Sequence, residues 1–101
     1  MPYLDYQNHN RFENEIYQTV TIDKQINHDL TFIDCEFKNL GFLGNQLYEK
    51  RSFEFENCKI DRIEIGGNIR HLSFVNCTIG NFFQLRDSDV SLLNFYATSN
   101  K

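Results

Sequence analysis

One short motif occurs five times along this chain and constrains its fold more than any other feature. Each copy consists of a large apolar residue, any residue, and then Asn or Asp. Most of the apolar residues that follow lie three, five, eight and ten positions after the first residue of the copy. The intervals between successive copies are 20, 23, 19 and 18 residues, with a mean of 20. The copies begin at Phe12, Phe32, Phe55, Phe74 and Leu92. A period of this size predicts a solenoid, because one coil cannot bury its apolar side alone.

The spacing of apolar residues within a copy predicts β-strands that turn corners. Steps of two and three alternate, as in the segments 53–55, 58–60 and 63–65. A step of two is strand geometry, and the extra residue in every five turns the chain. Four such sides make a coil of about 20 residues. Residues 1–101 are therefore predicted to form a single all-β domain, a β-solenoid of four to five coils.

Three of the copies also carry a Cys and a further apolar residue at fixed positions. These runs are Phe32-Ile-Asp-Cys35-Glu-Phe37, Phe55-Glu-Asn-Cys58-Lys-Ile60 and Phe74-Val-Asn-Cys77-Thr-Ile79. They resemble the F-x-x-C-x-F form of the pentapeptide-repeat family, over about residues 10–97. The resemblance implies a right-handed parallel β-helix with four sides. A three-sided right-handed β-helix of similar period is the alternative.

Two columns of the repeat have structural explanations. Cys35, Cys58 and Cys77 share one column, which predicts a ladder of small apolar thiols inside the coil. The Asn or Asp column belongs at corners, because these residues tolerate the left-handed backbone conformation. No CxxC motif or pair of His residues is present, so no metal site is predicted.

The composition limits the classes of partner. Ten Lys and Arg against fourteen Asp and Glu give a net charge of −4, which argues against direct nucleic-acid binding. No stretch reaches the roughly 18 consecutive apolar residues of a membrane span. The N-terminal segment lacks the basic and apolar regions of a secretory signal. These features predict a cytoplasmic protein with no membrane partner.

No constellation of residues points to catalysis. His9, His28 and His71 share no column, and the acidic residues alternate with Lys and Arg along the strands. An active site needs a nucleophile, a base and stabilising groups that converge on one pocket. The sequence therefore predicts a non-enzymatic protein with no catalytic residue and no cofactor.

The longest interval between copies predicts a loop. Residues 43–51 carry the excess of the 23-residue interval and are expected to bulge from a corner. The bulge would present Tyr48, Glu49, Lys50 and Arg51 to a partner, since loops on rigid scaffolds commonly carry binding residues.

The last coil is unusually apolar and predicts self-association. The residue after each copy's first apolar residue should face outward, which places Leu93 on the surface. An uncapped solenoid end exposes strand edges and core side chains. This end is expected either to pair with a second copy, which gives a homodimer, or to continue into a longer helix. The resemblance implies a homodimer, because some family members dimerise through this terminus. The predicted contact residues are Leu92, Leu93, Phe95 and Tyr96.

The first functional hypothesis is therefore a non-enzymatic protein-binding or assembly module that dimerises. A second functional hypothesis uses the acidic residues. The resemblance implies that a rod of this kind can imitate duplex DNA and occupy a topoisomerase. The alternative function is thus an inhibitor of a DNA-handling protein, a topoisomerase inhibitor or a phage anti-defence factor. The contributing acids would be Glu36, Glu54, Glu56, Asp61, Glu64, Asp87 and Asp89.

Overall fold

The computed structural model describes residues 4–44 and 48–100, and all of the regular structure in those residues is β-strand. The strands are short because the chain turns a corner within every repeat. They are β1 (Arg11–Glu13), β2 (Ile16–Ile22), β3 (Leu30–Ile33), β4 (Glu36–Phe42), β5 (Tyr48–Glu56), β6 (Lys59–Ile65), β7 (Asn68–Val75), β8 (Thr78–Gln84), β9 (Asp89–Tyr96) and β10 (Ser99–Asn100).

Successive strands alternate between two parallel sheets. Sheet A has the order β1-β3-β5-β7-β9, and sheet B has the order β10-β8-β6-β4-β2. Every strand pairs in parallel with the strand two places along the chain. This is the geometry of a coil that climbs by one strand spacing per turn. The predicted fold class is confirmed as a β-solenoid of about four turns with a period of about 20 residues.

The predicted register is confirmed for the first four copies of the motif. Phe12 pairs with Phe32, Phe32 with Phe55 and Phe55 with Phe74. Their rings form one stacked column, with centroid separations of 5.2, 4.8 and 5.1 Å. The three inner rings are 0% exposed, so this column forms the central line of the core.

The predicted start of the fifth copy is wrong by three residues. Phe74 pairs with Phe95 and not with Leu92, and the Phe95 ring continues the stack at 5.3 Å. Leu92 and Asn94 satisfy the letters of the motif. Only Phe95, however, extends the aromatic column, so packing decides the register.

The third residue of each structurally aligned copy forms the corner between sheets A and B. Its φ is positive in all five copies, at 49° to 56°. The residues are Asn14, Asp34, Asn57, Asn76 and Ala97. The left-handed region disfavours most side chains, and Asn and Asp tolerate it best after Gly. The Asn and Asp column is therefore a column of corners, as predicted, and Ala97 is the member that departs from the rule.

Each sheet also bends in the middle. In sheet B the ladder skips one residue after Tyr17, and the inward residues on either side of the skip, Tyr17 and Val20, are both buried. In sheet A the same kind of skip falls at Arg70, between Ile69 and His71. The ladder of sheet B is interrupted in this way between β2, β4, β6 and β8, and that of sheet A between β5, β7 and β9.

Candidate functional site

The final turn of the solenoid presents open strand edges. Among the described strands, β9 pairs only with β7, and the two-residue β10 covers only Thr78 and Ile79 of β8. Residues 81–84 of β8 therefore also lie at an edge. We call residues 82–85 and 89–100 the last-coil face. Its outer edges carry backbone N–H and C=O groups that no described strand pairs, a known template for association.

Exposed apolar side chains concentrate on the last-coil face. Six of the eight large apolar residues that are exposed among the described ones lie there. They are Phe83, Leu85, Leu92, Leu93, Phe95 and Tyr96, with exposed fractions of 37–66%. Isolated exposed apolar residues are normal on a protein surface, but a contiguous group marks an interaction site.

The four residues predicted for this end come together, but two of them point differently from the prediction, because Leu92, as the first apolar residue of its copy, is predicted to face inward and Leu93 outward. Leu93 pairs with the fully buried Leu72, so it stands in an inward column and not in the outward one. Phe95 also faces inward, whereas Leu92 and Tyr96 are more exposed, at 58% and 66%. The error follows from the three-residue misplacement of the fifth copy. Leu93 and Phe95 are thus core residues left uncovered on their outer side.

A groove lies in the uncovered core. Its volume is about 240 Å³, and its walls are mostly apolar. The lining residues are Ile79, Phe82, Phe95, Thr98, Ser99 and Asn100. Phe82 packs its edge against Phe95 at 5.8 Å. Sequence reasoning missed Phe82 and Thr98 as members of this surface, although the correct register would have placed Thr98 in the Cys column.

Charge is nearly absent from the last-coil face. Residues 90–100 contain no Asp, Glu, Lys, Arg or His, although 24% of the whole chain is charged. Asp89 is the one charged residue of the face as defined above. Two copies of this surface can therefore approach each other with little electrostatic repulsion.

The opposite end of the solenoid is built differently. Residues 4–10, the N-terminal strap, pack against the first coil through the buried side chains of Leu4 and Tyr6. The His28 Nε2–H is shared between the carbonyls of Tyr6 and His9, at 2.9 and 3.1 Å. Phe12, in the first coil, is half-buried, whereas Phe95, in the same column of the last coil, is 48% exposed. The first coil is therefore more covered than the last coil, although β1 and β2 are edge strands as well.

The N-terminal end is also charged. A groove of about 330 Å³ lies there and is lined by charged and aromatic residues. They are Asp5, His9, Arg11, Phe12, Glu13, Glu15 and Tyr17. Arg11 Nε donates to Glu13 Oε2 at 3.0 Å, and both side chains are about half exposed. Such an exposed pair contributes little stability, so its main effect is to place charge beside the edge strand.

The three thiols occupy the interior, as the repeat predicted. Cys35, Cys58 and Cys77 are buried and free. Each Sγ lies 3.4–3.5 Å from two backbone carbonyls. Contacts with Cys35 and Cys77, together with burial, raise the pKa of Cys58. A buried thiol with a raised pKa is a poor nucleophile, so Cys58 plays a packing role.

The predicted loop is corrected in part. Tyr48 is 0% exposed and begins β5, and its single hydroxyl proton is shared between the backbone carbonyls of Ile22 and Leu43. Arg51 is half-buried, and its Nε donates to the Ile26 carbonyl at 3.1 Å. Only Glu49 and Lys50 are exposed as expected. These residues form a bulge within β5, where the ladder shifts between Tyr48 and Ser52. Residues 45–47 of the predicted loop lie outside the described residues.

The acidic residues chosen for DNA mimicry do not form a row of one sign. Glu54 and Glu56 lie on sheet A, whereas Glu36, Asp61 and Glu64 lie on sheet B. Glu36 pairs directly with Lys59, and Glu64 lies between Gly41 and Phe83. Asp87 lies in the turn before β9, and Asp89 begins that strand. The fold thus scatters these carboxylates over both sheets and the last turn.

Within residues 4–44 and 48–100, no group of three or more His, Cys, Asp or Glu residues is placed to hold a metal ion. The same residues contain no helix that is long and apolar enough to cross a membrane.

Over the described residues, the fold is a parallel β-solenoid with a charged, partly covered first coil and an apolar last coil whose outer edges no described strand pairs. No protein-family model, curated protein or solved structure matches the chain. The resemblance of its motifs to pentapeptide repeats therefore stays a prediction.

Proposed function

We propose that this protein is a non-enzymatic assembly module that pairs with a second copy of itself through the last-coil face. The observation that carries the proposal is the concentration of exposed apolar residues on an almost uncharged face with open strand edges. A cytoplasmic location is part of the proposal, because three unpaired thiols suit a reducing compartment.

A second copy fits this surface because an isologous interface brings the same patch together from both molecules. Any net charge on the patch would face an equal charge of the same sign. The last-coil face largely avoids this penalty, whereas the charged N-terminal end would incur it. The Phe95 ring, stacked on Phe74 on one side only, would be covered by side chains of the partner, as would Phe82 in the groove.

The available area is sufficient for a specific dimer. The Cα extents of the molecule are 27, 27 and 19 Å, and the shortest matches a stack of five strands about 4.8 Å apart. The end face is therefore about 27 by 27 Å and offers on the order of 700 Å² per copy, so a pair would bury on the order of 1,400 Å², within the range of specific interfaces. Interfaces of this size span a wide range of affinities, so we expect a dimer that depends on protein concentration, with a dissociation constant on the order of micromolar.

Sedimentation equilibrium of the unlabelled protein, from about 5 µM to about 500 µM, tests the proposal over the expected range. Phe95→Glu places a carboxylate from each copy in the centre of the face and should leave a monomer. Tyr96→Glu is a second disruptive variant that should fold normally, because Tyr96 is 66% exposed.

Ile16→Glu is the matched control. Ile16 is 60% exposed on β2, at the opposite end of sheet B, so the same substitution there should leave the dimer intact. Thermal melts of the three variants establish that each one folds. The proposal fails if the unmodified protein stays monomeric at the highest concentration, or if Ile16→Glu disrupts the dimer and the two last-coil variants do not.

A further inference from the structure

We propose that Glu15 limits this assembly to closed pairs by preventing the last coil of one copy from stacking on the first coil of another. The inference rests on the proposed self-association. A solenoid with two compatible ends would stack head to tail and grow into a filament, because a heterologous contact of this kind leaves a free end at each step. Some feature of the first coil must therefore make that end unfit to receive a last coil.

The interior column that contains the thiols shows what a stacked coil requires. In four successive coils, a side-chain donor lies near the carbonyl of the aromatic residue one coil earlier. The pairs are Cys35 with Phe12, Cys58 with Phe32, Cys77 with Phe55, and Thr98 with Phe74, at 3.5, 3.4, 3.4 and 3.0 Å. Each new coil thus places one S–H or O–H group against a buried carbonyl of the coil beneath it.

Glu15 occupies the first position of this column. Its carbonyl accepts from Glu36 N–H, just as the Cys35 carbonyl accepts from Lys59 N–H and the Cys58 carbonyl from Thr78 N–H. The backbone of the first coil is therefore in register with the later ones. The side chain differs, because an ionised carboxylate accepts hydrogen bonds and cannot donate them.

Head-to-tail stacking would bring Glu15 against the carbonyl of Phe95 in the other copy. Two acceptors would then meet in an interior position, and the carboxylate would lose its water without gaining a partner. In the free protein this cost is absent, since the Glu15 side chain is exposed in the groove of the N-terminal end. Glu15 lies at the corner between the edge strands β1 and β2, and charge at a sheet edge is a recognised means of preventing edge-to-edge association.

The remaining features of the first coil agree with this role. Arg11 and Glu13 place further charge on the edge strand β1, and the apolar last-coil face offers Asp89 as its one charged residue. The N-terminal end therefore lacks chemical complementarity with the last coil, and the last-coil face is complementary mainly to itself.

A mixing experiment with a blocked chain separates the two geometries. Phe95→Glu removes the last-coil face, so a chain with this change can bind the unmodified protein only through its N-terminal end. A second change, Lys38→Cys, adds an exposed thiol on sheet B for a fluorophore. The label goes to this thiol alone, because the native thiols are buried. The labelled chain is followed by fluorescence-detected sedimentation while unmodified protein is added.

We expect the labelled Phe95→Glu chain to sediment as a monomer at every concentration of unmodified protein. Adding Glu15→Thr supplies the hydroxyl that Thr98 supplies in the last coil, and should strengthen binding of the unmodified protein by at least about tenfold. The matched control is Glu54→Thr in the same blocked background. It removes one carboxylate from the outer surface of sheet A and should have no effect.

The outcomes distinguish the two proposals. If the labelled Phe95→Glu chain with Glu15 unchanged binds the unmodified protein as tightly as the unmodified protein binds itself, the proposed role of Glu15 is wrong and self-association still holds. The same holds if Glu15→Thr gives no more binding than Glu54→Thr. If the unmodified protein does not self-associate, both the proposed function and this inference are wrong.

Discussion

Replacing Phe55 with Ala tests whether the stacked aromatic column holds the solenoid together. Phe55 is 0% exposed, and its ring lies between those of Phe32 at 4.8 Å and Phe74 at 5.1 Å. The ring also meets Phe37 edge to face at 6.0 Å. Truncating a buried Phe costs about 3–5 kcal/mol. We expect about 5 kcal/mol here, because two stacked neighbours and one edge contact are lost together.

The assay is equilibrium unfolding in urea, followed by circular dichroism at a concentration below that of the dimer. With an m-value of about 2 kcal/mol/M, the midpoint should fall by roughly 2–3 M. Phe12→Ala is the matched control, since Phe12 is half-buried and has one stacked partner, Phe32 at 5.2 Å. It should cost less than half as much. If Phe55→Ala and Phe12→Ala destabilise equally, the column is not the main source of stability.

Two further predictions concern the corners and the buried tyrosines. Ala97→Asn should raise the free energy of unfolding by about 0.5–1 kcal/mol, because Ala97 has a φ of 49° and Asn tolerates that conformation better. Asn57→Ala should lower the free energy of unfolding by about 1 kcal/mol for the same reason. If urea melts show that both variants change it in the same direction, the corner assignment is wrong. Burial raises the pKa of Tyr17 to about 12 and also raises that of Tyr48, above the unfolded value of about 10. The stability that these phenols contribute is therefore fully present below about pH 10 and is lost as the pH rises through about 12. The measurement is the urea midpoint from about pH 9 to about pH 12, with tyrosinate absorbance recorded in parallel. The midpoint should fall as tyrosinate appears. If every tyrosine of the folded protein ionises near pH 10, these two groups are not buried.

The repeat predicted the core well wherever the pattern was regular. Phe32, Phe55 and Phe74 lie in the predicted column, and Cys35 and Cys58 lie in theirs. The reason is physical: parallel coils in register place identical positions above one another, so a column in the sequence becomes a column in space.

The errors fall where the pattern admits two alignments. Leu92 and Asn94 match the motif better than Phe95 and Ala97 do, and only the packing of Phe95 on Phe74 selects the register. That choice turns Leu93 inward and makes Ala97 the corner. Letters alone could not have placed Ala97 there, since Ala is an unfavourable residue for a positive φ.

Tyr48 shows a second kind of limit. The excess residues in its interval predicted a surface loop, yet its side chain fills the interior and bonds to the carbonyls of Ile22 and Leu43. A bulge within β5 takes up extra residues instead. Interval length shows that residues are inserted somewhere, but the two carbonyls that receive the Tyr48 hydroxyl come together only once the coils are stacked.

The amino-acid sequence by itself determined the solenoid, its period of about 20 residues, the interior thiol ladder and the corners of the first four coils. These follow from local periodicity, which requires no knowledge of how distant residues meet. The sequence also indicated that the last coil is apolar and open, but only the tertiary structure showed that the first coil is partly covered and which way the residues of the last coil point. The covering of the first coil depends on Leu4 and Tyr6, which pack against it, whereas Phe95, at the end of the aromatic column, has no coil beyond it among the described residues. Exposure at the two ends is a property of the stacked coils, because burial depends on which coil lies next to which.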